Sequence, residues 1–349
     1  MTSVNLRVFG LALGRNSFIS LKSLFVFLIT LFVVHQFAPS ANAATTYYVS
    51  STTGSDSWPG TSSLPFHTIQ QAANVVNPGD TVIVRDGTYS NAAASGVGSK
   101  LIYMSRGGTA SNWVTFAAEH TWGAVVDGLS NTTAEAWAFA ANYIRVQGFE
   151  VKGFSDDGFS NYNGGQYIDI LGNHIHDMGR YCTTTGIGRD GIYLSSDNVT
   201  VEQNVIHDIG RYAPGENGCT NTQFYRTNDH GLYVAGANNV MIRNNTFYNN
   251  FRGWSIQVYP SAVNNLSILN NTFAFPNPWE PGHIIVAAPA INSRIENNTF
   301  YQSNTVGIYF RNRNGYLNLI VDNNTTHQGS IADGSPVGVT FSDNSDSPN

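Results

Sequence analysis

The sequence predicts an all-β, single-domain parallel β-helix, a solenoid of coils about 26 residues long capped by a short N-terminal helix. Three observations carry that prediction. An Asn-Asn-Thr triplet recurs at almost constant spacing, apolar residues flank it with period two, and a second set of strand-like runs precedes it in each repeat.

The elements follow in chain order. Residues 1–43 read as a secretory signal peptide: Arg7, Arg15 and Lys22 precede an apolar run from Leu24 to Val34, and Ala41-Asn42-Ala43 supplies a cleavage site. The β-helix is assigned to 44–343, with 46–90 as N-terminal cap and first coil, and 344–349 as a disordered tail. Thr46 to Ser50 reads as a strand. Phe66 to Val76 reads as an amphipathic helix with Ile69, Ala72, Ala73 and Val76 on one face. Such a helix would cover an open sheet edge. Asn77-Pro78-Gly79-Asp80 ends it, and Thr81 to Val84 is the next strand.

The triplets begin at Asn244, Asn270, Asn297 and Asn323, separations of 26, 27 and 26. Gly172-Asn173-His174 and Gln203-Asn204-Val205 fit the same frame at separations of 31 and 41, so those coils carry insertions. Before the second residue of each triplet come pairs such as Ile170/Ile168, Val201/Val199, Ile242/Val240, Ile268/Leu266 and Val321/Leu319. After it come Ile175, Ile206, Phe247, Phe273 and Phe300. Each strand is too short to bury a face alone, and stacking supplies a continuous core. The repeated Asn reads as a ladder of side chains bonded from coil to coil, on turns whose left-handed backbone Asn tolerates.

The run Tyr47-Tyr48-Val49-Ser50, Gly54-Ser55-Asp56, Pro59-Gly60-Thr61, Pro65-Phe66-His67-Thr68-Ile69-Gln70 and Pro78-Gly79-Asp80 through Gly87-Thr88-Tyr89 resembles the opening of right-handed β-helix proteins of the pectate lyase superfamily. With the Asn-Asn repeats the resemblance covers most of 46–326. It implies a right-handed coil. It leaves the activity open, because the fold carries lyases, hydrolases, epimerases and binding modules.

Stacked coils turn aligned residues into columns about 4.8 Å apart. Lys152, His176, His207 and Tyr248 fall in one column. Asp157, Asp190 and His230 fall in another, with Asp156, Arg189 and Asp229 beside them. The two columns are expected to face each other on one side of the stack. His174 is expected to point opposite to His176, as a turn or surface residue. The insertions 178–189 and 209–229 join the columns, and extra length on one side of a solenoid usually builds a binding face. In an oxidising compartment Cys182 and Cys219 read as a disulfide stapling these loops.

A Lys/His/Arg/Asp surface suits cleavage of an acidic polysaccharide by β-elimination, in which a base takes the C5 proton of a uronate and a cation stabilises the developing charge. Lys152, His207 and His230 are candidate bases and His176 shares their column. Arg180, Arg211 and Arg189 are candidate neutralisers. Asp156, Asp157, Asp190 and Asp229 are candidate Ca²⁺ ligands, and Ser155-Asp156-Asp157-Gly158-Phe159 is similar to acidic runs around the calcium site of some pectate lyases. Arg189, Tyr193, Tyr233, Arg252, Trp254 and Tyr259 are candidate sugar contacts, with Tyr181, Tyr212, Phe224 and Tyr225 nearby. A hydrolase with Asp157 and Asp190 as acid and base, an epimerase and a non-catalytic carbohydrate-binding module are the alternatives.

Without the signal segment 14 basic residues face 23 acidic ones, a net charge near −9. That disfavours nucleic acid and anionic membranes as partners. The chain is expected to be a secreted or periplasmic monomer acting on a polysaccharide, with no membrane contact after signal cleavage.

Overall fold

The structure, a computed structural model, describes residues 43–90, 100–220 and 227–346, and from Ala44 onward these form one compact unit. The expected signal peptide and the aromatics Phe224 and Tyr225 lie outside the described residues.

Each coil contributes one strand to each of three parallel sheets, of twelve, ten and nine strands among the described residues. One coil runs Ile168–Leu171, His174–His176, Asp190–Leu194, and the next repeats as Val199–Glu202, Val205–His207, His230–Val234. Ile168 pairs with Val199 and Ile170 with Val201, so the period-two pattern stacks like on like. The inward residues are fully buried, among them Phe247, Phe273 and Phe300, whose rings stack at 5.1 and 5.0 Å.

The Asn-Asn repeat divides its work between its two residues. The first residue of each pair takes the left-handed backbone between the twelve- and ten-stranded sheets, at φ 58° for Gln203, 57° for Asn244, 54° for Asn270, 58° for Asn297 and 49° for Asn323. The second turns inward and forms the ladder. Asn245 Nδ2 donates to Asn271 Oδ1 at 3.0 Å and to Val201 O at 2.9 Å, and Asn271 repeats this with Asn298 and Ile242. Leaving one such buried amide unpaired costs about 1–3 kcal/mol.

The helix is Ile69–Val75, shorter than the 66–76 expected, because Phe66 bridges to Val49 and Asp56 Oδ1 holds the amides of His67 and Thr68. Thr68 is its N-cap, accepting from Gln71 N. Gln70 then treats Tyr103 as a strand partner would: its Oε1 accepts from Tyr103 N at 2.7 Å and its Nε2 donates to Tyr103 O at 3.2 Å. Tyr103 lies on the terminal strand of the nine-stranded sheet, so the helix does cover an edge. At the other end, the tail expected to be disordered from 344 is still folded to Asp346. Asn344 Oδ1 accepts from Asn324 Nδ2 at 3.0 Å as the last rung, and Ser345–Asp346 pairs with Thr325–Thr326.

Both insertions leave the ten-stranded sheet and re-enter at the nine-stranded one. The repeated His-Asp-x-Gly-Arg-Tyr run is the exit turn. Asp177 and Asp208 sit at φ 57° and 54°, while Met178 and Ile209 plug the core. A disulfide joins Cys182 to Cys219. No helix among the described residues is long and apolar enough to cross a membrane.

Candidate functional site

A groove of about 620 Å³ lies along the start of the nine-stranded sheet. Its floor is a column built by register. Lys100 pairs with Glu135, the pairing of Phe159 with Trp137 and with Ile192 puts Asp157 between Glu135 and Asp190, and Asp190 pairs with His230. The rungs are about 4.8 Å apart, which brings the carboxyls of neighbouring coils together. Lys100 Nζ lies 3.0 Å from Glu135 Oε1.

Asp157 and Asp190 hold their protons well above the usual Asp range. Burial is the main cause for both; the charge of Asp190 adds to it for Asp157, and that of Asp229 for Asp190. Asp190 Oδ1 accepts from the His230 backbone N–H at 3.0 Å. The His230 ring is pushed down to about 3 by burial and is therefore neutral. Its Nδ1 accepts from Trp254 N–H at 3.1 Å, which places the ring proton on Nε2. Tyr193 and Tyr233 stand over this floor with rings 5.4 Å apart, and Tyr162 and Tyr259 extend the wall. Burial pushes the Tyr233 hydroxyl up to about 12, so it stays a donor.

The second column is equally regular. His176 pairs with Lys152 and with His207, and His207 with Tyr248. It lies on the outer face of the ten-stranded sheet and does not line the same groove as Asp157, Asp190 and His230, so the two columns do not face each other across one cleft. His174 also corrects its expectation. Residues two apart on a strand share a face, and the His174 ring lies 4.4 Å from that of His176 and 4.9 Å from that of His207. Burial and the two neighbouring imidazoles pull His174 down to about 4.

The structure reassigns the expected cations. Arg211 is fully buried, 2.8 Å and 2.5 Å from the two oxygens of Asp229, and donates to the carbonyls of Thr185 and Ile187. It clamps the insertions and cannot neutralise a substrate. Arg180 lies between the Tyr212 and Phe251 rings and donates to Gly210 O at 3.0 Å. Arg189 pairs with Asp156 at 2.7 Å. Lys152 pairs with Glu150 at 3.1 Å. Two expected sugar contacts are also withdrawn. Arg252 is buried against Glu216, and Trp254 is buried beside Ile285, Ala287 and Tyr309.

Of the four expected calcium ligands, Asp156 and Asp229 are therefore taken by guanidiniums. Asp157 and Asp190 remain; Glu135, next in the column, is held by Lys100, and among the described residues these three carboxylates are not a group whose ligand atoms all lie within 4.8 Å of one another. Glu135 and Lys100 had a signal in the sequence: Glu135 stands two residues before Trp137, as Asp157 does before Phe159 and Asp190 before Ile192.

Residues 47–218 match the family model described as "Pel9A-like, right handed beta helix region", and residues 152–347 match "Periplasmic copper-binding protein (NosD)". Among solved structures, pectate lyase Pel9A is similar at a TM-score of 0.56 and 18% identity, over 86% of this chain and 78% of that one. XylC in complex with xylose is similar at 0.55 and 13%, over 82% and 69%. An alginate lyase from Paenibacillus sp. str. FPU-7 is similar at 0.54 and 14%, over 85% and 99%. No curated protein sequence matches the chain. At these identities the structural likeness is one of fold. The chain is thus a right-handed parallel β-helix protein. The NosD match spans more than half of it, and the chain belongs to that family of β-helix proteins. The copper in that family's description does not suit the groove, whose donors are carboxylates; the chain's clustered imidazoles, which do suit it, lie on the ten-stranded sheet.

Proposed function

We propose that the chain is a secreted or periplasmic polysaccharide-degrading enzyme that cleaves a glycosidic bond in the groove of the nine-stranded sheet. The observation that carries this reading is the pair of adjacent carboxyls, half-buried Asp157 and buried Asp190, both held protonated above the usual range under a wall of tyrosines. Two such groups cannot both ionise easily, so one keeps its proton as general acid while the other acts as base or nucleophile. A rung spacing of about 4.8 Å lies near the ~5–5.5 Å carboxyl separation of retaining hydrolases. Hydrolysis with retention is therefore the reaction best supported. Tyr193 and Tyr233 offer flat faces and hydroxyl donors to a sugar, and the His230 Nε2–H is a further donor.

A second reading is β-elimination on a uronate, in which Asp157 and Asp190 would take part in holding Ca²⁺. The adjacent carboxyls favour it, as does the likeness to a pectate lyase and an alginate lyase. In that case the ion supplies the charge that neutralises the uronate, and the chain's carboxylates only position it.

A panel of neutral and acidic polysaccharides, with and without chelator, separates the readings. Hydrolysis gives new reducing ends without ultraviolet-absorbing unsaturated ends and survives chelation. Elimination gives unsaturated ends and is lost with chelator. Retention on a polysaccharide column with neither product would overturn both readings in favour of a binding module.

A further inference from the structure

The outer face of the ten-stranded sheet carries a rank of imidazoles that the groove chemistry does not use. The His176 and His207 rings lie parallel, 5.0 Å apart and within 1°. His176 Nδ1 is 2.8 Å from Asp177 Oδ2, and His207 Nδ1 is 2.5 Å from Asp208 Oδ2. A carboxylate only accepts, so each Nδ1 carries a proton, and in the neutral ring Nε2 then holds a lone pair. His174 Nε2 lies 2.7 Å from His207 Nε2. Glu150 Oε1 lies 3.3 Å from His176 Nε2, and the ligand atoms of Glu150, His174 and His176 all fall within 4.8 Å of one another.

Glu150 Oε1, which also meets Lys152 Nζ at 3.1 Å, can only accept, so a proton on His176 Nε2 or a bound cation in its place must lie between the two. Ligating histidines commonly donate their second ring N–H to a carboxylate, which fixes the tautomer and raises ligand basicity. Asp177 and Asp208 hold His176 and His207 in that way. Trp122 and Tyr248 close the two ends of the rank, with rings 4.8 Å from His174 and 4.3 Å from His207.

We propose that His174, His176, His207 and Glu150 form a binding site for one divalent transition-metal ion of the imidazole-preferring class, copper(II) or zinc. Three imidazoles and one carboxylate suit these ions, whereas Ca²⁺ and Mg²⁺ require oxygen donors. Around a tetrahedral ion with bonds of ~2.0–2.1 Å neighbouring ligand atoms stand about 3.3 Å apart. The His174 Nε2–His207 Nε2 contact therefore opens from 2.7 Å, while His176 and His207, whose parallel rings stand 5.0 Å apart, turn inward onto the ion. His174 binds as a neutral imidazole by moving the proton it donates to His207 from Nε2 to Nδ1. The site goes beyond the proposed function and stands or falls independently of it.

The test is titration of the chelator-stripped full chain with copper(II) and zinc chlorides by calorimetry, with electron paramagnetic resonance of the copper form. One ion per chain is expected, with hyperfine structure from several imidazole nitrogens and with quenching of Trp122 fluorescence that Trp122→Phe removes. His174→Ala and His207→Ala should each weaken binding at least ten-fold, and Asp208→Asn about ten-fold. His120→Ala, in the separate exposed group Asp86, Glu119 and His120, should leave it unchanged. Circular dichroism melts check that the variants fold, and the resonance spectrum of the unsubstituted chain decides by itself where one does not. Binding no tighter than that of a His174→Ala/His207→Ala variant, or a copper spectrum without imidazole nitrogens, would overturn the site.

Discussion

The nine- and ten-stranded sheets put polar columns from the same repeat to different uses. On the nine-stranded sheet the column stands at the strand starts, beneath the returning ends of the insertions, and water is largely excluded. Asp190 and His230 are each 3% exposed, and both are held in their neutral forms. On the ten-stranded sheet the column lies on the outer face, and each member has a charged neighbour: Lys152 has Glu150, His176 has Asp177 and His207 has Asp208. Uncompensated buried charge is what perturbs a titration, and perturbed groups in a cleft are candidate catalysts. Compensated imidazoles are candidate ligands. The difference comes from the place in the coil more than from residue type.

The largest expected effect separates the two sheets by activity. Asp157→Asn and Asp190→Asn should each lower kcat by about 10²–10⁴ on whichever polysaccharide is cleaved, measured by steady-state product release, with no loss of thermal stability. An unchanged kcat would remove the carboxyl pair from catalysis. Next comes the clamp behind the groove. Arg211→Ala leaves Asp229 buried and unpaired, and should cost about 3–5 kcal/mol in denaturant melts. A cost near zero would mean that the insertions are held by the disulfide alone.

Smaller effects test the shared scaffold and the titrating groups. Asn271→Ala should cost about 1–3 kcal/mol, read from the same melts, because it cuts the ladder between Asn245 and Asn298. The pH dependence has a defined sign. The raised Asp157 and Asp190 bind protons more tightly folded than unfolded, so their contribution is full below about 3.9 and is lost as pH rises through their folded values. His230, lowered to about 3, acts in the opposite sense: its contribution is intact above about 6.5 and is lost as pH falls from there toward its folded value. Asp157→Asn should therefore flatten the decline in melting temperature on the alkaline side and leave the acid side alone. An unaltered alkaline slope would count against the raised pair. The smallest effect is that of Arg243→Ala, which removes an exposed ion pair with Glu202 and should change stability by about 0–1 kcal/mol.

Most of the scaffold could be read from spacing because the repeat is one-dimensional. Once Asn245, Asn271 and Asn298 were aligned, the register of every neighbouring strand followed, and with it the column Lys152, His176, His207 and Tyr248. The sequence did not reveal where side chains go after they leave the strand. Arg180, Arg189 and Arg211 look alike as candidate substrate cations, yet one lies between aromatic rings, one meets Asp156 and one is sealed against Asp229. Those outcomes depend on the paths of the insertions 178–189 and 209–229, which obey no repeat. His174 needs no loop path to explain it: strand periodicity alone puts it on the same face as His176. Glu135 carries the same two-residue offset to Trp137 that Asp190 has to Ile192, but it lies in a coil ahead of the aligned repeats.

The most direct test of the account is a titration of the aspartate carboxyls by carbon-13 NMR on the folded chain, with Asp157→Asn and Asp190→Asn used to assign the two resonances. The account predicts that the pair titrates as a coupled unit, with at least one carboxyl staying protonated well above the ordinary range near ~3.9 and the other dropping once its neighbour is replaced. Two independent carboxyls, both titrating at the ordinary value, would contradict it.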